Sequence, residues 1–295
     1  YLVKNFKSEA FETLKELYYS TRNFIAIREL YDESYVTLVE EYRNSINIKL
    51  YCINPSRNLK AIINESYASI LFSATLSPIN YYIDLLGGDI EKSYRLRLPS
   101  PFPKENLEVY KNNLNMRYGK REENIEKLCE IINRFINEKS GNYIAFLPSY
   151  DYLNKVYEKY VEIYGDNNTV MQGNELTEVE RREFLDNFEE GRNVLAFCVI
   201  GGMFSEGIDL PGEKLIGAII VGMGFPKVSN EVNIIKDYYE EKGFDYAYVY
   251  PGINKIMQAA GRVIRREEDK GRVLLVDDRY SNRKYINLLP LEWGL

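Results

Sequence analysis

The run Gln258-Ala259-Ala260-Gly261-Arg262-Val263-Ile264-Arg265-Arg266 sets an amide and two guanidiniums at offsets of zero, four and seven. A helix projects residues at that spacing from one face, so Gln258, Arg262 and Arg265 are expected to point the same way from a helix running through the whole stretch. Two planar cations with an amide beside them suit a site where negative charge develops on a phosphoryl group in transfer. Gly261 would let the helix pass close to a neighbour. A solvated basic helix end also favours arginine, through the helix dipole, but it gives the glutamine and the glycine no role.

A second stretch, Gly201-Gly202-Met203-Phe204-Ser205-Glu206-Gly207-Ile208-Asp209-Leu210-Pro211-Gly212, follows an apolar run directly. Glycines at the end of a strand allow backbone to approach a ligand in the crevice where open α/β sheets bind them. Glu206 and Asp209 in that loop could hold a ribose or orient an arginine. Two weaker signals put hydroxyls after apolar runs: Ser73-Ala74-Thr75, and Ser149-Tyr150 in Phe146-Leu147-Pro148-Ser149-Tyr150. Taken singly, such residues are ordinary turn formers or helix caps.

What is missing narrows the chemistry. The 295 residues contain no histidine, which removes the commonest general base and every Ser-His or Cys-His nucleophile. Cys52, Cys129 and Cys198 are too scattered for a zinc site or a disulfide framework, and a reducing cytoplasm is the expected setting. No Gly-x-Gly-x-x-Gly opens a helix after the first strand, which argues against a dinucleotide-dependent oxidoreductase. The net charge of −6 gives no global basic footprint, so any nucleic-acid contact must be local. The longest apolar runs, such as 215–221, are strand-sized, and no membrane span is expected. The chain begins at Tyr1 without a leader pattern and reads as a fragment.

The elements that must position these residues follow from periodicity. Up to about residue 99 the pattern is mixed: a helix carrying Phe11, Leu14 and Leu17, a hairpin from β-rich runs at 35–42 and 46–53, a short helix near 59–63, a strand at 69–72, and a helix after Ser77-Pro78 stopped by Gly87-Gly88. Pro99, Pro101 and Pro103 bar regular structure and mark a boundary near residue 100. Beyond it strands and helices alternate. The continuous apolar runs at 194–199, 215–221 and 273–276 suit a parallel sheet covered on both faces. Thr177 and Glu180 form a capping box at a helix start. The expected fold is α/β, a doubly wound parallel sheet over 100–295 preceded by a partial α+β segment over 1–99.

Taken together and in order, the motifs resemble those of the superfamily 2 DNA helicases of the Rad3/XPD and DinG group. Ser73-Ala74-Thr75-Leu76 is similar to motif III, Phe146 to Tyr150 to motif IV, Ser205-Glu206-Gly207-Ile208-Asp209 to motif V and Gln258 to Arg265 to motif VI, while Leu289-Pro290-Leu291-Glu292-Trp293 matches the family's closing pattern. The resemblance implies two RecA-like domains with ATP in the cleft between them and single-stranded DNA, or the strand of a forked duplex, running across both. Residues 100–295 would be the second domain, and 1–99 would complete the first, whose remainder is an expected partner from the same chain, in a protein acting as a monomer. By the same resemblance Arg265 is the arginine finger, Arg262 and Gln258 meet the phosphates or the nucleotide-sensing network, and Glu206, Gly207 and Asp209 couple nucleotide to DNA. Ser73 and Thr75 link the two sites, and Ser149 and Tyr150 lie along the DNA strand.

The phosphate-binding loop and the acidic magnesium motif of that family do not occur in these residues. ATP and Mg²⁺ would therefore be held mainly by the upstream half of the first domain, and this chain by itself is expected to be inactive. The cysteines that hold an iron–sulfur cluster in many relatives would also precede this segment, which leaves the cluster open. The competing reading is a RecA-like scaffold whose ATPase half has degenerated. The retained Arg265 argues against it, because a scaffold has no use for a finger.

Overall fold

The computed structural model describes residues 9–205 and 209–295. The chain divides into two units, one taking in residues up to Ser73 with Ile79–Arg95, the other Ala74–Pro78 with Leu96–Leu295.

In the first unit, helix α1 (Glu9–Glu29) precedes an antiparallel hairpin of β1 (Tyr35–Tyr42) and β2 (Ser45–Cys52), paired in register from Tyr35 with Cys52 to Tyr42 with Ser45. Helices α2 (Ser56–Glu65) and α3 (Ile79–Leu85) follow. The strand expected at 69–72 does not form. Those residues are irregular, with Ile70 85% and Phe72 89% exposed. An apolar run becomes a strand only when a neighbour accepts its ladder, and none of the described residues does so.

The second unit holds one six-stranded sheet, all parallel. Its strands are β3 (Leu107–Asn112), β4 (Tyr143–Leu147), β5 (Thr169–Met171), β6 (Leu195–Val199), β7 (Gly217–Val221) and β8 (Gly271–Val276), in the spatial order β3-β8-β7-β4-β6-β5. Between them run α4 (Ile125–Asn137), α5 (Tyr150–Tyr164), α6 (Glu178–Leu185), α7 (Asn230–Tyr238) and α8 (Tyr250–Ala260), with α9 (Arg283–Ile286) after β8. The mixed α/β architecture expected from the sequence is the one observed.

Period-2 alternation assigns each strand residue to one of two cores. Tyr143, Ala145 and Leu147 of β4 face a layer containing Leu128, Ile132 and Phe135 of α4 and Leu153 and Val156 of α5. Ile144 and Phe146 face the opposite layer with Phe184 of α6 and Ile253, Ile256 and Ala259 of α8. Both faces are covered, so the strands carry apolar residues at consecutive positions, and all five residues of β4 and of β7 are buried. Each large side chain fully buried in this way contributes roughly 1.5–3 kcal/mol.

The amino-terminal edge of the sheet is tied by one buried amide. Asn142 donates from Nδ2 to the Glu189 carbonyl at 2.8 Å and the Lys214 carbonyl at 3.2 Å, and its Oδ1 accepts from Val194 N at 3.0 Å. At the carboxyl edge the helices start on side-chain caps: Ser149 accepts from Tyr152 N, and Ser229 from Val232 N. The capping box read at Thr177 and Glu180 is present. No helix among the described residues is long and apolar enough to cross a membrane.

Candidate functional site

The segment that carries the arginines is not the continuous helix its spacing suggests. Helix α8 ends at Ala260, and Gly261 adopts φ −65°, ψ −4° as its carboxy-terminal cap. Arg262 to Asp269 then form a turn leading into β8. Two contacts explain the break. The Asp269 carboxylate accepts from the backbone N–H of Arg265 at 2.7 Å and of Arg266 at 2.8 Å, turning the chain away from a helical ladder. Val263 drops into the core beside Gly271, where a Cβ would stand 2.0 Å from its Cγ1.

The close approach expected of Gly261 belongs to another glycine. A Cβ on Gly261 would meet only the carbonyls of the preceding turn, whereas one on Gly252 would come within 2.5 Å of the Met223 carbonyl and 2.8 Å of the Phe225 ring. Gly252 seats the first turn of α8 against the end of β7. The period that placed Gly261 in a helix could not distinguish packing from termination.

The glycine-rich loop after β6 is pinned by its apolar residues. Phe204 is fully buried with its ring centroid 4.3 Å from that of Phe184, and Leu210 is buried in the same core. Four contacts of its described residues place it alongside α8 and the turn that follows. Gly201, at φ +73°, lies against the Lys255 stem. Arg262 Nε donates to the Ser205 carbonyl at 3.0 Å. Arg265 Nε stands 3.7 Å from Asp209 Oδ1. Gly212 N donates to Asp269 Oδ1 at 3.2 Å. Ser205 Oγ braces the top of the loop, accepting from Gly201 N at 2.7 Å and donating to the Val199 carbonyl at 3.2 Å.

Of the residues expected to act together, the structure brings Arg265 to Asp209 and Arg262 to the Ser205 carbonyl, with Gln258 half-buried in the last turn of α8. Glu206 and Gly207 lie outside the described residues. The Asp209 side chain is 78% exposed and that of Arg265 31%. An ion pair that open is worth ~0–1 kcal/mol and exchanges readily for a stronger anion. The Arg265 backbone, by contrast, is held through its N–H by Asp269, a residue the sequence reading did not single out because its carboxylate serves the backbone rather than a side chain.

Ser149 and Tyr150 sit apart from the arginines, at the carboxyl end of β4. Ser149 caps α5. The Tyr150 hydroxyl accepts from Gln172 Nε2 at 2.7 Å, and Gln172 Oε1 accepts from Val199 N at 3.0 Å, joining the ends of β4, β5 and β6. Partial burial raises the Tyr150 pKa, so its hydroxyl stays protonated at neutral pH. The buried Gln172 was also missed, since a lone glutamine after a three-residue strand gives no pattern. Ser73 and Thr75 flank the division between the units, which falls between Ser73 and Ala74. Arg272 separates itself from the other arginines: Glu138 lies 2.5 Å away and the Phe135 and Tyr110 rings cover it, a structural placement.

A six-stranded parallel sheet covered on both faces, with a glycine-rich loop after β6 and an arginine-bearing turn before β8, defines an open α/β domain. The family described as Helicase C-terminal domain matches residues 132–294, more than half of the chain, and the chain belongs to that family. It is 28% identical over 277 residues to "ATP-dependent DNA helicase CHL1" of Vanderwaltozyma polyspora, which covers 82% of this chain and 33% of that protein. It is 29% identical over 235 residues to "ATP-dependent DNA helicase DinG" of Photobacterium profundum, covering 75% of this chain and 33% of the relative. The chain thus spans about a third of the length of these curated relatives. Among solved structures, one titled "XPD_Helicase" aligns with a TM-score of 0.65 at 19% identity, over 92% of this chain and 48% of that one, a likeness of fold. The resemblance to the Rad3/XPD and DinG group read from the motifs is borne out.

Proposed function

We propose that this chain is the carboxy-terminal part of an ATP-dependent DNA helicase that couples hydrolysis at an interdomain cleft to movement along single-stranded DNA. The observation that carries the reading is the alignment of the loop at 201–212 with the arginine turn at 262–269, which links a strand-end loop to two guanidiniums through Ser205 and Asp209. Residues 100–295 act as the second RecA-like domain and 1–99 complete the first, the protein working as a monomer in a reducing cytoplasm. The names of the relatives, which print ATP dependence and DNA, support the same assignment.

In this reading Arg265 is the finger. Its backbone is held by Asp269 while its guanidinium rests near an exposed carboxylate, so it can leave Asp209 for a phosphoryl group as charge builds there. Arg262, fixed to the Ser205 carbonyl, transmits any movement of the arginine turn to the loop holding Glu206, Gly207 and Asp209. Gln258, with Arg262, meets the phosphates or the nucleotide-sensing network, and Gly261 caps α8 just ahead of the arginine turn. Ser73 and Thr75 connect the units, and Ser149 and Tyr150 lie on the strand track. Among the described residues no group of carboxylates, histidines or cysteines could hold a metal ion. The Mg²⁺ that accompanies ATP in this reading is therefore not assigned to these residues, and no step is routed through it.

The test is steady-state ATP hydrolysis by the full-length protein across DNA concentrations. Arg265→Ala should lower turnover by roughly 10³-fold or more while leaving nucleotide affinity within about tenfold. Arg265→Lys should not rescue it, because a point charge on a flexible stem does not reproduce the planar fork. Parental rates from both variants would remove the finger and move a degenerate nucleic-acid-binding scaffold ahead.

A further inference from the structure

Asn142 and Gln172 are buried amides at opposite edges of the second unit's sheet, and they are used differently. Asn142 meets backbone groups alone, the carbonyls of Glu189 and Lys214 and the N–H of Val194. Gln172, 1% exposed just past the carboxyl end of β5, has a carboxamide with one backbone partner and one side-chain partner.

The backbone partner fixes which way that carboxamide faces. Val199 N can only donate, so Oε1 lies toward it at 3.0 Å and Nε2 is left toward the Tyr150 hydroxyl at 2.7 Å. Nε2 carries only donor hydrogens, so the tyrosine oxygen accepts. The phenolic proton, kept at neutral pH because partial burial raises the Tyr150 pKa, is then directed away from Gln172.

Val199, the last residue of β6, carries the connection onward. Its carbonyl accepts from Ser205 Oγ at 3.2 Å, and the Ser205 carbonyl accepts from Arg262 Nε at 3.0 Å. Ser205 is fully buried, and Gly202 lies over the Gln172 amide, where a Cβ would stand 3.4 Å from Nε2. Four hydrogen bonds, joined through Gln172, Val199 and Ser205, therefore link the Tyr150 hydroxyl to the arginine turn. In a buried setting such bonds strengthen one another, and packed strand ends pass a displacement on.

We infer that Gln172 is a positioning residue for hydrolysis: it holds the Tyr150 hydroxyl as an outward donor and joins it to the loop at 201–212, so that occupancy at Tyr150 is felt at Arg262. The choice of a single strand as the occupant, and of hydrolysis as the response, rests on the helicase reading. A purely structural amide, such as Asn142, holds backbone to backbone and reaches no side chain of the candidate site.

The experiment is steady-state ATP hydrolysis by the full-length protein with and without saturating oligothymidylate, reading the ratio of the two rates. Gln172→Leu, which breaks both bonds, and Gln172→Glu, which draws the phenolic proton inward, should each lower that ratio about tenfold. Tyr150→Phe should lower it by a similar factor, and the double variant with Gln172→Glu should be no worse than either single one, since both act on one chain of bonds. Asn142→Leu should lower the unfolding midpoint while leaving the ratio at the parental value, which separates lost stability from lost linkage. If the leucine variant at 172 does not fold, the isosteric Gln172→Glu decides. A parental ratio in the Gln172 variants, even with both rates reduced, or losses that multiply in the double variant, would overturn the positioning role and leave the helicase reading standing. Hydrolysis by the parental protein that does not respond to the strand would instead sink the helicase reading, and the positioning role with it.

Discussion

The two units use similar apolar residues to opposite effect. In the second, the strands bury consecutive residues under helices on both sides, and Phe146, Phe197 and Leu147 are completely enclosed. In the first, Leu14 and Leu17 are each 62% exposed, Ile46 is 66% exposed, and Tyr35 and Ile53 are the buried apolar side chains among the described residues. A two-stranded hairpin and three helices do not by themselves close a core. The difference teaches that a core follows from covering both faces of a sheet and not from apolar content: the second unit keeps its own core, whereas the first presents apolar surface of the extent that normally meets another layer. Under the proposed function that layer is the upstream remainder of the first helicase domain.

Thiol reactivity offers the widest contrast between the units. Cys129 and Cys198 are fully buried in the second, and burial pushes the Cys129 thiol up to about 12 and Cys198 up as well. Cys52 in the first unit is only half-buried. Native-state alkylation should modify Cys52 orders of magnitude faster than the other two, which must wait for opening of the sheet domain. Comparable rates for all three would break the comparison. The raised Cys129 value also carries a pH dependence. The unfolded thiol ionises above about 8.5 while the native one does not, so stability is fully present below that value and falls as pH rises toward about 12. Chemical denaturation of this chain from pH 7 to 10 would read the decline.

Truncating matched aromatic residues sharpens the contrast next. Phe146→Ala empties a fully enclosed position and should cost about 3–5 kcal/mol in the unfolding of the second unit. Phe72→Ala removes a ring that is 89% exposed in this chain and should change stability by no more than about 0.5 kcal/mol. Equal losses in urea titrations would mean that Phe72 has a packing partner. A loss between these two is expected at Ser149→Ala, which removes the cap of α5 and should destabilise the second unit by about 1 kcal/mol. An unchanged denaturation midpoint would show that the hydroxyl contributes nothing to the helix.

Much of the second unit was legible because its signals are local. Apolar runs at 194–199, 215–221 and 273–276 announce buried parallel strands, and Thr177 with Glu180 announces a helix start; strands formed over Leu195–Val199, Gly217–Val221 and Gly271–Val276, and the capping box is present. The misses lie where local pattern competes with partners. The apolar run at 69–72 has strand composition, yet no neighbouring strand among the described residues pairs with it. Gln258, Arg262 and Arg265 keep helical spacing, yet Asp269 and Gly271 unwind the chain after Ala260.

Sequence alone determined the family motifs, the apolar runs of the sheet and the candidate residues, since residue types and short periods are properties of adjacent positions. Only tertiary structure decided that Arg262 meets Ser205 and that Arg265 faces Asp209. Those outcomes depend on groups dozens of residues apart meeting across a covered sheet, and on whether each buried donor finds an acceptor there. No window along the chain encodes that, because satisfaction of a polar group is a property of the assembled neighbourhood.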